Sequence, residues 1–232
     1  MSEIAKCVVL IPIYNDFESL VSLSKLIAET SQPNFKFVVV NNGSSDERVH
    51  EFLVHESIEF ISAEENLGFG GAILFGAQIV DTKWVSWMPG NLKVRPCDVL
   101  KFLSDFDFKP NTFAKAKRVD RKKIHQLKTL IAGVVQSIIL RTNMLDTGGT
   151  PTVCEKSFLL SLNNPPKDFV FESFTLFVAR RQRMQIIRPG VPYGQRLYGV
   201  SHWQRGIRSE IQLMRKIIRS CFLWKKIPTN SK

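Results

Sequence analysis

Residues 38–46, Val38-Val39-Val40-Asn41-Asn42-Gly43-Ser44-Ser45-Asp46, decide how the chain folds. Three valines in succession fit a strand buried on both faces, and the Asn-Gly-Ser turn that follows stops it abruptly. The same succession of apolar run and polar turn flanks this stretch. Upstream, Cys7 to Ile13 leads into Tyr14-Asn15-Asp16; downstream, a strand over 58–62 leads into Glu64-Glu65-Asn66-Leu67-Gly68-Phe69-Gly70-Gly71. Between the strands the apolar period changes from two to 3.6. Leu20, Leu23, Leu26 and Ile27 mark a helix over 17–28, Asp46 is placed to cap one reaching Val54, and a third covers 70–79 before a strand at 84–88. Strands alternating with helices predict an α/β, doubly wound and mostly parallel sheet, whose ligands bind at the carboxyl ends of the strands.

Charge divides the chain in two. Its 232 residues carry 32 Lys+Arg against 21 Asp+Glu, a net +11. Residues 1–113 hold 9 basic and 15 acidic side chains (net −6), and residues 114–232 hold 23 and 6 (net +17). The basic half therefore predicts an anionic partner, whereas the first half suits polar recognition. The second half reads as largely helical: a wide apolar face over 123–141, a helix over 171–183, a proline-broken strand over 184–191, and a basic amphipathic helix over 204–223. With no linker or repeat, residues 1–232 are expected to form a single domain.

An apolar composition of 44% excludes a disordered chain, and no run approaches the ~20 residues of a membrane span. The first apolar run stops at Pro12 and reads as a strand rather than a leader. Cys7, Cys97, Cys154 and Cys221 lie far apart, which argues against zinc and disulfides and for a reducing cytoplasm.

Asparagine offers the donor and acceptor edge that suits a nucleobase, and glycine lets backbone approach a ligand. Taken together, Val9 to Asn15 (with Pro12, Tyr14 and Asn15), Val38 to Asp46, and Asn66 to Ala72 with Gly76 resemble the family-two glycosyltransferases of the GT-A, Rossmann-like fold. Asp146-Thr147-Gly148-Gly149 and Arg196 to Trp203 are similar to segments of the polyprenyl-phosphate branch, typified by dolichol-phosphate mannose synthases. The resemblance implies transfer of a sugar from a nucleoside diphosphate sugar, with inversion, to an anionic acceptor such as polyprenyl phosphate, in cell-surface polysaccharide biosynthesis. It places Pro12, Tyr14, Asn15, Asn41, Asn42, Gly43, Ser44, Asp46, Asn66, Gly70 and Asn91 around the donor, and Lys117, Arg118, Arg196 and Ser201 around the acceptor.

The sequence departs from that family at the metal. An Asp-x-Asp element would hold a divalent cation, magnesium or manganese, after the fourth strand; here the aligned residues are Pro89, Asn91 and Lys93. Asn91 alone would be a weak ligand. Two readings follow. In one, Lys93 and Arg196 act catalytically by stabilising the leaving diphosphate with little or no metal; in the other, the chain is a catalytically inactive nucleotide-sugar-binding regulator or scaffold. A phosphate acceptor needs no base, whereas a hydroxyl acceptor would need Asp146 or Glu172. The basic helix with Trp224 beside Lys225 and Lys226 predicts peripheral attachment at the inner face of the plasma membrane. Nucleic acid is not the expected partner, because no reading module accompanies the charge.

Overall fold

The structure, a computed structural model, describes residues 5–30, 32–55, 58–195 and 207–226. Its first half runs β1 (Cys7–Ile13), α1 (Phe17–Thr30), β2 (Phe35–Asn42), α2 (Glu47–His55), β3 (Phe60–Ala63), α3 (Gly68–Ile79), β4 (Trp84–Trp87) and α4 (Pro96–Ser104). The second runs β5 (Thr112–Lys115), β6 (Lys117–Val119), α5 (Lys123–Leu140), β7 (Thr152–Glu155), α6 (Lys156–Leu160), α7 (Phe171–Arg181), β8 (Gln185–Ile187), β9 (Gly190–Pro192) and α8 (Ile207–Trp224).

Seven strands form one sheet in the order β3-β2-β1-β4-β7-β5-β8. β3, β2, β1 and β4 are parallel; β7 runs antiparallel to both β4 and β5, and β8 is parallel to β5. The expected α/β sheet is therefore present, mostly parallel and flanked by helices. Successive side chains of a strand face opposite ways, and the two cores sort accordingly. Val8, Leu10, Val38, Val40, Val85 and Trp87 face the core under α3 and α7. Cys7, Val9, Ile11, Phe37, Val39 and Met88 face the core under α1, α2 and α4.

The second half supplies more strand than its sequence suggested. β5 and β7 extend the sheet, and the run over 184–191 divides: β8 joins the large sheet, whereas β9 pairs with β6 in a separate two-stranded sheet. Pro189, between them, forces the change of direction by withholding an N–H from either ladder. At the C-terminus, α8 is not simply a surface helix. Trp224 is buried against the rings of Phe174 and Phe177 on α7, at 5.3 and 6.2 Å between centroids, so its indole is not at the surface beside Lys225 and Lys226.

Candidate active site

Two polar regions lie at the carboxyl edge of the parallel strands. The first is the turn cluster after β1, β2 and β3, and hydrogen bonds stitch it together. Asn15 Oδ1 accepts from the N–H groups of Ser45 (2.8 Å) and Asp46 (3.1 Å), and Ser44 Oγ accepts from Asn15 N (3.0 Å). Asn41 Oδ1 accepts from Ser44 N at 3.2 Å. Asn42 Nδ2 donates to Asn66 Oδ1 at 3.1 Å, and Asn42 Oδ1 accepts from Leu67 N at 3.0 Å. Asn41 and Asn42 are buried, so their amides join loop to loop. Tyr14, 45% exposed, is the large apolar surface of this patch, next to the carboxyl end of β1.

Gly43 adopts φ +67°, and a Cβ there would stand 2.3 Å from the carbonyl carbon of Glu65, so only glycine closes this junction. Asp46 caps α2 by accepting from Arg48 N at 3.1 Å and pairs with the Arg48 guanidinium; that bond holds its carboxyl below the usual carboxylate range. Pro12 sits at the end of β1, where its carbonyl backs onto the turn after β4. Gly70 meets a packing need. A Cβ on it would lie 2.5 Å from Pro166 O and 2.7 Å from the Phe171 side chain, and its N–H donates to Lys167 O (2.7 Å), so the first turn of α3 is satisfied by backbone.

The second region is a cavity of about 500 Å³ beyond the end of β4, lined by residues of α3, α5, α7, α8 and the loops between them. The turn over 88–93 forms one wall. Leu92, at φ 58°, buries its side chain in the core, leaving Asn91 and Lys93 on either side of it to line the cavity. Asn91 Oδ1 accepts from Lys93 N at 3.2 Å, closing the turn. Gly90 packs on Ile13, so this wall adjoins the first region.

Adjoining this turn is a cationic cluster built on Tyr193. Lys93 Nζ, the Arg118 guanidinium and the Arg121 guanidinium stand 5.9, 5.3 and 5.9 Å from the centre of that ring. Arg118 is aimed by Asp146, whose carboxylate accepts from Arg118 Nε (2.7 Å) and from its backbone N–H (2.8 Å). Burial would raise the Asp146 carboxyl, but the charge and hydrogen bonds of Arg118 outweigh burial and hold it below its ordinary value. Arg188 donates to the carbonyls of Leu145 (3.0 Å) and Asp146 (2.8 Å), fixing that loop. Burial, and then the nearby Arg118 charge, lower Arg121.

The floor holds a buried ion pair. Lys115 Nζ bonds Glu172 Oε2 and donates to Thr152 Oγ1 (3.0 Å), while Glu172 Oε1 accepts from Trp87 Nε1 at 2.9 Å. Lys115 is fully buried, and burial depresses its proton affinity against the pull of Glu172. Beside this pair, Gln136 Oε1 and Thr150 Oγ1 are buried without a protein partner, and both residues line the cavity.

The structure thus brings Asn91, Lys93 and Arg118 around one cavity and places Pro12, Tyr14, Asn15, Asn41, Asn42, Gly43, Ser44, Asp46 and Asn66 in the neighbouring turns. Lys117 does not join them: it is exposed on β6, where alternation turns it away from Arg118. Arg196 and Ser201 lie outside the described residues. Tyr193, Arg121 and Lys115 are not among the residues the sequence points to; the Pro-Tyr-Gly setting of Tyr193 is the available signal for the first.

The turn at 89–93 offers one neutral amide oxygen, already engaged, and an ammonium. A hard divalent cation takes anionic oxygens, so these residues do not fit one. Among the described residues no group of three or more His, Cys, Asp or Glu is placed to hold a metal.

A four-strand parallel unit, an antiparallel β7 inserted beside β4, and a cavity beyond the β4 turn define a glycosyltransferase of the GT-A architecture. The chain belongs to glycosyl transferase family 2, whose family model matches residues 8–159. No curated protein matches it significantly. Among solved structures it resembles glucosyl-3-phosphoglycerate synthase from Mycobacterium tuberculosis. In the complex of that protein with Mn2+, UDP and glucosyl-3-phosphoglycerate, the TM-score is 0.71 at 14% identity, over 97% of this chain and 82% of the other. In its complex with Mn2+, UDP-glucose and phosphoglyceric acid the TM-score is 0.73 at 13% identity, over 97% and 81%. A further mycobacterial protein gives 0.73 at 16%, over 97% and 76%.

Proposed function

We propose that the protein transfers a sugar, with inversion, from a nucleoside diphosphate sugar to a phosphate-bearing acceptor, with polyprenyl phosphate at a membrane surface as the acceptor class, in cell-surface glycan biosynthesis. In this reaction an acceptor phosphate oxygen attacks the anomeric carbon. The bond from that carbon to the β-phosphate oxygen breaks, and its electron pair leaves on the nucleoside diphosphate.

The observation that carries the reading is the state of the carboxylates. Glu172 is the one carboxylate lining the cavity among the described residues, and Lys115 and Trp87 occupy both of its oxygens. Asp146 is likewise committed to Arg118. A sugar hydroxyl would need a base to take its proton; a phosphate is already ionised. Cations also outnumber acids along the wall, with Lys93, Arg118, Arg121 and Lys128 against Glu172. One of the similar synthase structures holds UDP-glucose together with phosphoglyceric acid, which is also an anion.

The membrane part rests on α5. Ile124, Leu127, Leu130, Ile131, Val134 and Ile138 are all exposed, and at 100° per residue they form one stripe along the helix, with Lys122, Lys123 and Lys128 beside it. None of the described helices is long and apolar enough to cross a membrane. A face of this kind fits a surface of acidic lipid, where its acceptor would lie beside the cavity.

The test is a transfer assay with a panel of nucleoside diphosphate sugars and a short-chain prenyl phosphate. Prenyl-phosphate sugar should form from one donor; transfer to free sugar hydroxyls alone would refute the acceptor. The second reading, a nucleotide-sugar-binding protein without turnover, draws on the missing acidic pair after β4. It predicts donor binding with neither transfer nor donor hydrolysis.

A further inference from the structure

The donor set after β4 does not fit a divalent metal, and the cavity supplies another means of meeting a diphosphate. We propose that this chain binds the donor diphosphate without a divalent metal, the Lys93 ammonium and the Arg121 guanidinium standing where a metal ion would otherwise meet the leaving phosphates. The inference rests on the reading of the cavity as a nucleotide-sugar site.

Three observations converge. Lys93 lies on the turn that ends β4 and adjoins the end of β1, so a ligand spanning the strand-end turns and the cavity must pass it. Its backbone is fixed on both sides: its N–H donates to Asn91 Oδ1, and its carbonyl accepts from Gly194 N at 2.8 Å. Gly194 follows Tyr193, and Tyr193 N donates to Val119 O at 3.2 Å. The Lys93 turn, the Tyr193 ring and the β6 strand carrying Arg118 are therefore one connected frame. Arg118 and Arg121 both stand against that ring, at 5.3 and 5.9 Å from its centre, and burial first, then the Arg118 charge, lowers Arg121. Arg118 pairs with the Asp146 carboxylate, whereas Arg121 faces the cavity with a hydroxyl, Thr129 Oγ1 (3.0 Å), and the His125 carbonyl (3.2 Å) as hydrogen-bond partners. Like charges held together in one pocket are relieved by an anion.

The chemistry is balanced without a metal. As the bond to the anomeric carbon breaks, negative charge grows on the β-phosphate oxygen, and preorganised cations are placed to meet it. Guanidinium groups can also grip phosphate oxygens in pairs. A divalent ion brought to the same place would be repelled by the cations already there.

Binding of inorganic pyrophosphate to the full chain, by calorimetry with excess chelator and again with manganese, tests this without needing the base or sugar. Expected is binding in chelator, changed less than about threefold by manganese; Lys93→Met and Arg121→Ala should each weaken it about tenfold or more, with Lys93→Arg restoring most of it. Melting temperatures confirm that each variant folds, and the wild-type comparison needs no variant at all. Pyrophosphate binding that requires manganese overturns the proposal. So does Lys93→Met weakening a short-chain prenyl phosphate while leaving pyrophosphate untouched, which would assign the cluster to the acceptor. Turnover of a donor sugar only with manganese would defeat this inference and leave the transferase reading standing. Pyrophosphate bound in chelator, with no donor sugar bound or consumed under any condition, would do the reverse.

Discussion

Replacing Glu172 by Gln tests the floor of the cavity most directly. The change keeps the shape and leaves an oxygen for Trp87 Nε1, but it strips the counter-charge from Lys115, which is fully buried. Leaving one member of a buried ion pair uncompensated costs about 3–5 kcal/mol. At ~2–4 °C per kcal/mol for a chain of this size, the melting temperature should fall by about 6–20 °C. The loss should depend on pH with a definite sign. Burial already lowers the proton affinity of Lys115 from its ordinary 10.5, and Glu172 opposes that shift. In the variant the opposition is gone, so between its lowered folded value and 10.5 the unfolded chain binds more protons than the folded one. Stability then rises with pH through that window. The deficit of Glu172→Gln relative to wild type should therefore be largest at the low-pH end of that window and narrow as pH climbs toward 10.5. The double variant Lys115→Met, Glu172→Gln, with no buried charge, should recover at least about 2 kcal/mol relative to the sum of the single changes. Urea unfolding at several pH values reads all three quantities. A loss below about 1 kcal/mol, a deficit that does not shrink with pH, or strict additivity in the double variant would refute the ion-pair account.

Asp146→Asn should loosen Arg118 and weaken anion binding at the cavity, read by pyrophosphate or prenyl phosphate titration. Because the folded carboxyl lies below its ordinary 3.8, the stability it contributes is present above that value and lost as pH falls through the lower one, so wild type and variant should converge as acid melts are taken down through that lowered value. Gly43→Ala places a Cβ against Glu65 in a left-handed backbone conformation, and should cost at least about 2 kcal/mol in denaturant unfolding. On α5, Leu127→Asp with Ile131→Asp should reduce co-sedimentation with phosphatidylglycerol vesicles at least about fivefold while shifting the melting temperature little, since both side chains are exposed. Unchanged sedimentation would dismiss the lipid surface.

The first half of the fold was legible because its strands are buried on both faces and are written as unbroken apolar runs; β1 spans Cys7 to Ile13 as the sequence puts it, and β2 contains the three valines. The second half was harder for a physical reason. β5 ends in a buried lysine, β7 sets two adjacent apolar residues, Val153 and Cys154, between Thr152 and Glu155, and each has only four residues, so neither shows a period. The neighbours that make them strands are supplied by distant chain. The site divides in the same way. Lys93 and Arg118 stood out as cations near motif positions, but that Arg121 shares a ring with them depends on β9 pairing with β6, which no local pattern records. No local pattern marks Lys115 as buried, because its partner is 57 residues away.

The stitched asparagines also bear on how the protein ages. Asn42-Gly43 is the dipeptide in which a backbone nitrogen most easily attacks the preceding side-chain carbonyl, closing a succinimide that opens to aspartate or isoaspartate. In the folded chain the Asn42 carbonyl oxygen is held by Leu67 N, its amide by Asn66, and the residue is buried, so the ring cannot readily form. Once the turn opens, that protection is lost, and the aspartate left behind would return to a pocket built for a neutral amide. Each unfolding event then carries a risk of permanent damage, and the working lifetime of the protein is tied to how rarely this junction comes apart.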